Sequence, residues 1–237
     1  MFFSEMTTKD ALKITKQKMS AYQCELLERM NAIEVDAHWF RRVFHTFAAS
    51  FLVYYLLPND SWVSIGKIII PVVIVSCMVL IEYQRLRGGV NHQWFFGLRS
   101  YEKKRPASYL YFGVAVILLF FFFPQQIAIP CILCASFTDP LIGECHYYFS
   151  KKYAYMIGVL VSFFFFLLNW YKAEWWVLLL ISSIGATAAV FGEAKKLVLV
   201  DDDFMIQMLP AILLLLLWQV FLLFDINILP TPIITPL

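Results

Sequence analysis

Seven apolar stretches divide this chain, at approximately 43–57, 62–81, 107–123, 125–143, 153–171, 174–192 and 205–224. A chain so divided can satisfy its backbone only in a few ways. Where water is absent, every N–H and C=O must bond within the protein, which leaves helices or a closed barrel. Runs of this length suit helices, since a spanning helix takes about 20 residues and a tilted strand about half that. The connections are too short for a second soluble domain. The expected fold is therefore an all-α integral membrane protein, with about seven transmembrane helices in one bundle over residues 41–237. Composition agrees: 61% of residues are hydrophobic and 15% charged, against about a quarter charged in an ordinary soluble domain.

Residues 1–40 carry charges of both signs and lack the basic-then-apolar layout of a secretory signal, so no cleaved leader is expected. Thr7 and Asp10 fit a capping box, and Met19, Tyr22, Leu26, Met30 and Ile33 recur at helical spacing. About 8–35 reads as a cytosolic amphipathic helix on the membrane surface or the bundle.

Cys77, Cys131 and Cys134 lie inside apolar runs, which argues against a disulfide framework. Cys131 and Cys134 have redox-motif spacing but no neighbouring base to hold a thiolate, so core packing is expected. His38, His45, His92 and His146 show no metal-ligand spacing with one another or with cysteine.

Charge distribution sets the expected orientation. With the N-terminus inside, the N-terminal segment contributes seven Lys/Arg, the 82–105 loop six, and the 144–152 and 193–204 loops two each. Only Lys67 and Lys172 of the nineteen fall on the other side. The positive-inside rule then predicts an N-in, C-out chain in a prokaryotic plasma membrane or the endoplasmic reticulum. No nucleic-acid partner is implied, because short cationic loops orient the chain and can also hold phosphate.

The acidic motifs gather on that same inner side. Asp139-Pro140-Leu141-Ile142-Gly143-Glu144 follows an apolar run, so Asp139 is expected near the inner leaflet, where ionisable groups face a bundle interior or a cavity. Pro140 predicts a break in the helix, and Gly143 permits close approach of backbone or phosphate. Glu193 with Lys195 and Lys196 closes the sixth span, and Asp201-Asp202-Asp203 opens the seventh. Capping explains one acid of the three, and a magnesium ion shared with a nucleotide would explain more. A solvated acidic loop is the plain alternative. Glu82 and Glu102 could pair with Arg85, Arg99 or Arg105 to hold a binding geometry. Arg41 and His45 stand one helical turn apart, with His45 more in keeping with interfacial packing than with a base.

In this order the motifs resemble those of the polyprenol kinase family, the membrane enzymes that include dolichol kinase, phytol kinase and the fungal CTP-dependent diacylglycerol kinase. The resemblance rests on Arg41-Arg42-Val43-Phe44-His45 and on Leu98-Arg99 through Glu102 leading to Tyr111-Phe112-Gly113. It continues through Asp139 to Glu144, then Glu193, and ends on Val200-Asp201-Asp202-Asp203-Phe204. The chain departs from the family pattern at Asp203, where asparagine is usual, at Gln207 in place of proline, and at Gly143-Glu144-Cys145-His146 in place of a Gly-Arg sequence.

The resemblance implies transfer of the γ-phosphoryl group of CTP to the hydroxyl of a membrane lipid alcohol such as a polyprenol or dolichol. It also implies Mg2+ held by Asp139 with Asp201 or Asp202. Phosphate contacts would come from Arg99, Lys151, Lys152, Lys195 and Lys196, with Gly143 beside them and Glu144 ordering the site. Two rivals remain at this point: a cytidylyltransferase acting on a lipid phosphate, which would use the same groups, and a non-enzymatic transporter.

Overall fold

The computed structural model describes residues 42–88, 102, 105–195 and 200–236. The expected helix at 8–35, together with Arg41, Arg99 and Lys196, lies outside them.

Helices account for the ordered framework, and no strand occurs among the described residues. Residues 42–56 form α1, in which a 3-10 stretch, Ala48–Leu52, interrupts two α-helical pieces. Then come α2 (Ser61–Leu86), α3 (Ser108–Phe122), α4 (Gln125–Leu133), α5 (Asp139–Tyr148), α6 (Lys151–Trp170), α7 (Trp175–Ala194) and α8 (Asp202–Leu222). Among the described residues, five stretches are long and apolar enough to cross a membrane: Trp62–Leu86, Gln125–Tyr148, Lys151–Trp170, Trp175–Ala194 and Asp202–Leu222. The two other expected spans are helical but short. Fifteen residues, as in α3, reach about 22 Å at 1.5 Å per residue, less than a hydrocarbon core of about 30 Å.

The sequence expectation of a break at Pro140 is corrected. Proline removes one N–H and crowds the preceding turn, yet the chain accommodates it without stopping. Cys134–Thr138 widens into a π turn, with the Asp139 N–H bonding to the Cys134 carbonyl, and α5 continues to Tyr148. The 125–143 span thereby becomes 125–148. Gly143 sits within this helix, and a Cβ there would meet nothing within 4 Å, so it serves no close protein contact.

Helix α8 is the centre of the bundle, packed on α3, α4 and α7, while α6 and α7 lie against each other. Phe166, Trp170, Ile181, Ile206 and Leu214 are fully buried between them. Cys131 and Cys134 join this core, as core packing predicts. Helix α2 differs. It leans on α3 and leaves Ile65, Ile68, Ile69, Ile70, Val73 and Leu80 more than half exposed or nearly so. An all-apolar helix surface of that extent is stable against lipid and not against water.

The two ends of the bundle are chemically unlike. At one end the C-terminal segment folds back: Gln126 Nε2 donates to the Pro230 carbonyl at 2.6 Å, Gln125 Nε2 to that of Ile234 at 3.0 Å, and Trp170 Nε1 to that of Gln126 at 2.8 Å. The other end holds Asp139, Glu193 and Asp201 to Asp203.

Gly192 fixes the approach of α7 to that carboxylate end. A Cβ at this position would lie 2.6 Å from the Met205 carbonyl oxygen, a backbone atom that cannot step aside. Gly→Ala within a helix ordinarily stabilises by up to about 1 kcal/mol. Here the sign reverses: Gly192→Ala is expected to lower the melting temperature in detergent. A rise would mean that the two helices do not touch there.

Candidate functional site

Four helices meet in one place, and three of them bring acids there. Asp139 begins α5, Glu193 lies in the last turn of α7, Asp201 occupies the N-cap position of α8, and Asp202 and Asp203 follow in its first turn. Asp201, Asp202 and Asp203 are only 6, 6 and 2% exposed. That burial disposes of the solvated-loop alternative for the triplet. Capping does not account for it either, because the Asp201 side chain makes no capping hydrogen bond. Glu193 is within electrostatic reach of Asp139, Asp202 and Asp203. Burial, reinforced by the charges of Asp202 and Asp203, pushes the Asp201 carboxyl up to about 7. Among the described residues its Oδ2 is buried without a hydrogen-bond partner.

The fourth helix contributes a residue that sequence reasoning set aside. His45 of α1 is buried, with Nδ1 3.3 Å from the Ala135 carbonyl oxygen and 3.6 Å from Asp139 Oδ2. Its Nε2 faces Asp203 Oδ1 at 3.7 Å, and Phe112 meets the ring edge-on at 5.5 Å. The interfacial-packing reading of His45 gives way to a place inside the acid cluster. Pro140 explains part of the arrangement: without an N–H, it cannot serve the carbonyls of the widened turn before it, and His45 meets one of them.

Among the described residues, Arg42 and Arg105 are the cations seen against these acids. Arg42 pairs with Glu144 and stands 5.8 Å from the centre of the Tyr147 ring. Arg105 Nη2 lies 3.9 Å from Asp201 Oδ1. Lys151, Lys152 and Lys195 are exposed at the same end, with Lys195 Nζ 5.5 Å from the Phe191 ring centre.

Glu82 and Glu102 do hold a geometry, through Arg85. This guanidinium is fully buried and forks onto Glu82, Nε to Oε2 and Nη2 to Oε1, both at 2.6 Å. It also donates to the carbonyls of Glu102 at 3.0 Å and Arg105 at 2.8 Å. Glu82 Oε1 accepts the Ala107 N–H at 2.8 Å, and Glu102 Oε1 accepts the N–H and hydroxyl of Ser108. The knot ties the end of α2 to the start of α3 and sets the backbone that carries Arg105 toward Asp201.

Two donor groups suit a cation. Ligand atoms of Asp201, Asp202 and Asp203 lie within 4.8 Å of one another, and so do those of His45, Asp139 and Asp203. Asp203 belongs to both, although the sequence expectation placed Asp139 with Asp201 or Asp202. So many carboxyls in little water repel one another strongly, and an oxygen-rich set of this kind fits a hard divalent ion.

Apolar spaces also occur among the described residues. One of about 240 Å³ is lined by Pro106, Leu110, Tyr111, Val114, Val200 and Phe204, so its walls bracket the acid triplet in sequence. A second, about 580 Å³, runs between α1, α2 and α3 past Phe51, Tyr54, Ile70, Met78, Gly113 and Phe120.

No family model matches the chain, and no curated protein or solved structure matches it either.

Proposed function

We propose that this protein is a membrane phosphotransferase of the polyprenol-kinase type, moving the γ-phosphoryl group of CTP to the hydroxyl of a lipid alcohol at the cytosolic end of its bundle. The observation that carries the reading is the buried acid cluster at a bundle end, together with an apolar pocket two of whose walls, Val200 and Phe204, flank the acid triplet in sequence. A nucleotide arrives from water and a lipid alcohol from the bilayer, so their reaction needs charge-binding and apolar surfaces side by side. The choice of CTP and of a polyprenol-like acceptor rests on the motif resemblance.

Phosphoryl transfer is mostly positioning and charge stabilisation. Asp139, Asp201, Asp202 and Asp203 would hold magnesium, which supplies neutralisation of the phosphate charge when bound. Arg105 is placed to meet a phosphate beside Asp201, and Arg42 keeps Glu144 oriented toward the same end. Lys151, Lys152 and Lys195 would draw the nucleotide toward the site from solvent, where exposed cations act at long range. The pocket at Tyr111 and Phe204 would take the lipid segment nearest the hydroxyl, with the larger groove available to the rest of the chain.

The test is transfer of labelled γ-phosphate by the purified protein, with magnesium and a panel of lipid alcohols. Lipid monophosphate and CDP are the expected products, with ATP a poorer donor and chelation stopping the reaction. Pyrophosphate release with a lipid phosphate as acceptor would establish the cytidylyltransferase instead.

Orientation has its own check. In a background without native cysteines, Asn59→Cys is expected to react with an impermeant thiol reagent from the exterior and Lys152→Cys only from the cytosolic side. Exterior labelling at position 152 would put the acids out of reach of cytosolic nucleotide and end the kinase reading.

A further inference from the structure

We infer that His45 is a metal ligand, and that His45, Asp139 and Asp203 form a mixed nitrogen and oxygen site able to bind a transition-series divalent cation such as Mn2+. The acids alone would not carry this. The ring does, because its two nitrogens have different surroundings.

Nδ1 lies 3.3 Å from the Ala135 carbonyl oxygen, an atom that can only accept, so the proton belongs on Nδ1. In the neutral ring Nε2 then carries a lone pair. That lone pair faces a carboxylate oxygen, Asp203 Oδ1, at 3.7 Å, past hydrogen-bonding distance. Two electron-rich atoms so placed in a buried site repel unless a positive species lies between them. The spacing suits an ion: two donors each about 2.1 Å from a common metal stand about 3 to 4 Å apart at ordinary ligand angles. A backbone carbonyl holding Nδ1–H is also the usual way a protein orients a metal-binding imidazole, presenting Nε2 outward.

The donor set points to the cation. Carboxylates alone suit Mg2+ or Ca2+, whereas imidazole adds affinity along the first transition series. Mn2+ accepts both donor types and remains competent for phosphate chemistry. Ala135, which orients the ring, and Asp139, whose Oδ2 is 3.6 Å from Nδ1 and whose ligand atom lies within 4.8 Å of those of His45 and Asp203, belong to the same widened turn and the residue after it. The π turn before Pro140 thus shapes both the carbonyl that orients His45 and the position of one carboxylate ligand.

The competing content of the gap is a second proton on His45, giving an imidazolium between Asp139 and Asp203. The experiment separates the two. Full-length protein in detergent, free of nucleotide and lipid, is titrated with Mn2+ and examined by pulsed electron paramagnetic resonance. Tight Mn2+ binding with a directly coordinated nitrogen-14 coupling is expected, changing to the nitrogen-15 pattern when histidine is isotope-labelled. His45→Gln should abolish the coupling and weaken Mn2+ binding at least about tenfold. Asp203→Asn should weaken binding while keeping the coupling in the residual complex.

Mn2+ bound without nitrogen coupling in the wild-type protein, or no binding at all, overturns the inference without reliance on any variant. Survival of the coupling in His45→Gln also overturns it, by assigning the nitrogen elsewhere. The inference depends on the acid cluster being a cation site and not on which lipid or nucleotide is used. A failed kinase assay therefore leaves it standing, and a positive kinase assay with nitrogen-free Mn2+ removes it alone.

Discussion

Asp139→Asn and Asp202→Asn are each expected to reduce phosphoryl transfer at least about 100-fold, about 2.7 kcal/mol of transition-state stabilisation, while the metal-free protein melts no lower than wild type. The two halves of the result come from the same charge. Glu193 lies within electrostatic reach of Asp139, Asp202 and Asp203, so removing one of their negative charges relieves repulsion in the apo state. With a cation bound, the same carboxylate becomes a ligand whose loss is felt in binding and turnover. Activity assays, paired with melting curves in detergent with and without metal, read both. Near-full activity in both variants would remove the metal site from the mechanism, and collapse of folding in both would make the cluster a structural element.

Arg85→Met is expected to destabilise the protein by about 3–5 kcal/mol, the usual result of stripping one partner from a buried ion pair. Glu82 would keep its bonds from Ala107 N–H and the Tyr109 hydroxyl, but its charge would stand uncompensated in a site that Arg85 now fills completely. The double variant Glu82→Gln/Arg85→Met should recover part of the loss, because two neutral side chains of similar volume need no counter-charge. Denaturant unfolding in mixed micelles measures both. Wild-type stability in Arg85→Met would show that the guanidinium is hydrated, and failure of the double variant to recover anything would place the energy in the two backbone carbonyls it serves.

Much of this protein follows from residue patterns. The apolar runs dictate helices because lipid offers the backbone no other partner, and the placement of the long helices α2, α6, α7 and α8 agrees with those runs. The asymmetry of charge along the chain marks one bundle end as polar, and Asp139, Glu144 and Asp201 to Asp203 do gather there. Pairing of Glu82 with Arg85 was within reach of sequence too, since residues three apart share a helix face.

Other features depended on contacts between distant segments. Pro140 predicted a broken helix, but whether a proline ends a helix or widens it into a π turn depends on what can receive the freed carbonyls, and here His45 arrives from 90 residues away to meet Ala135. The same distance hid His45 from any search for ligand spacing, which finds only neighbours along the chain. Sequence alone determined that the described chain is helical, with helices apolar enough to cross a membrane, because those properties are local and additive. Only the tertiary structure decided that Asp203 joins the two donor groups, that Arg42 and Arg105 reach acids, and that α7 meets α8 at Gly192. Those outcomes arise from helix packing at a few ångströms, which no periodicity encodes.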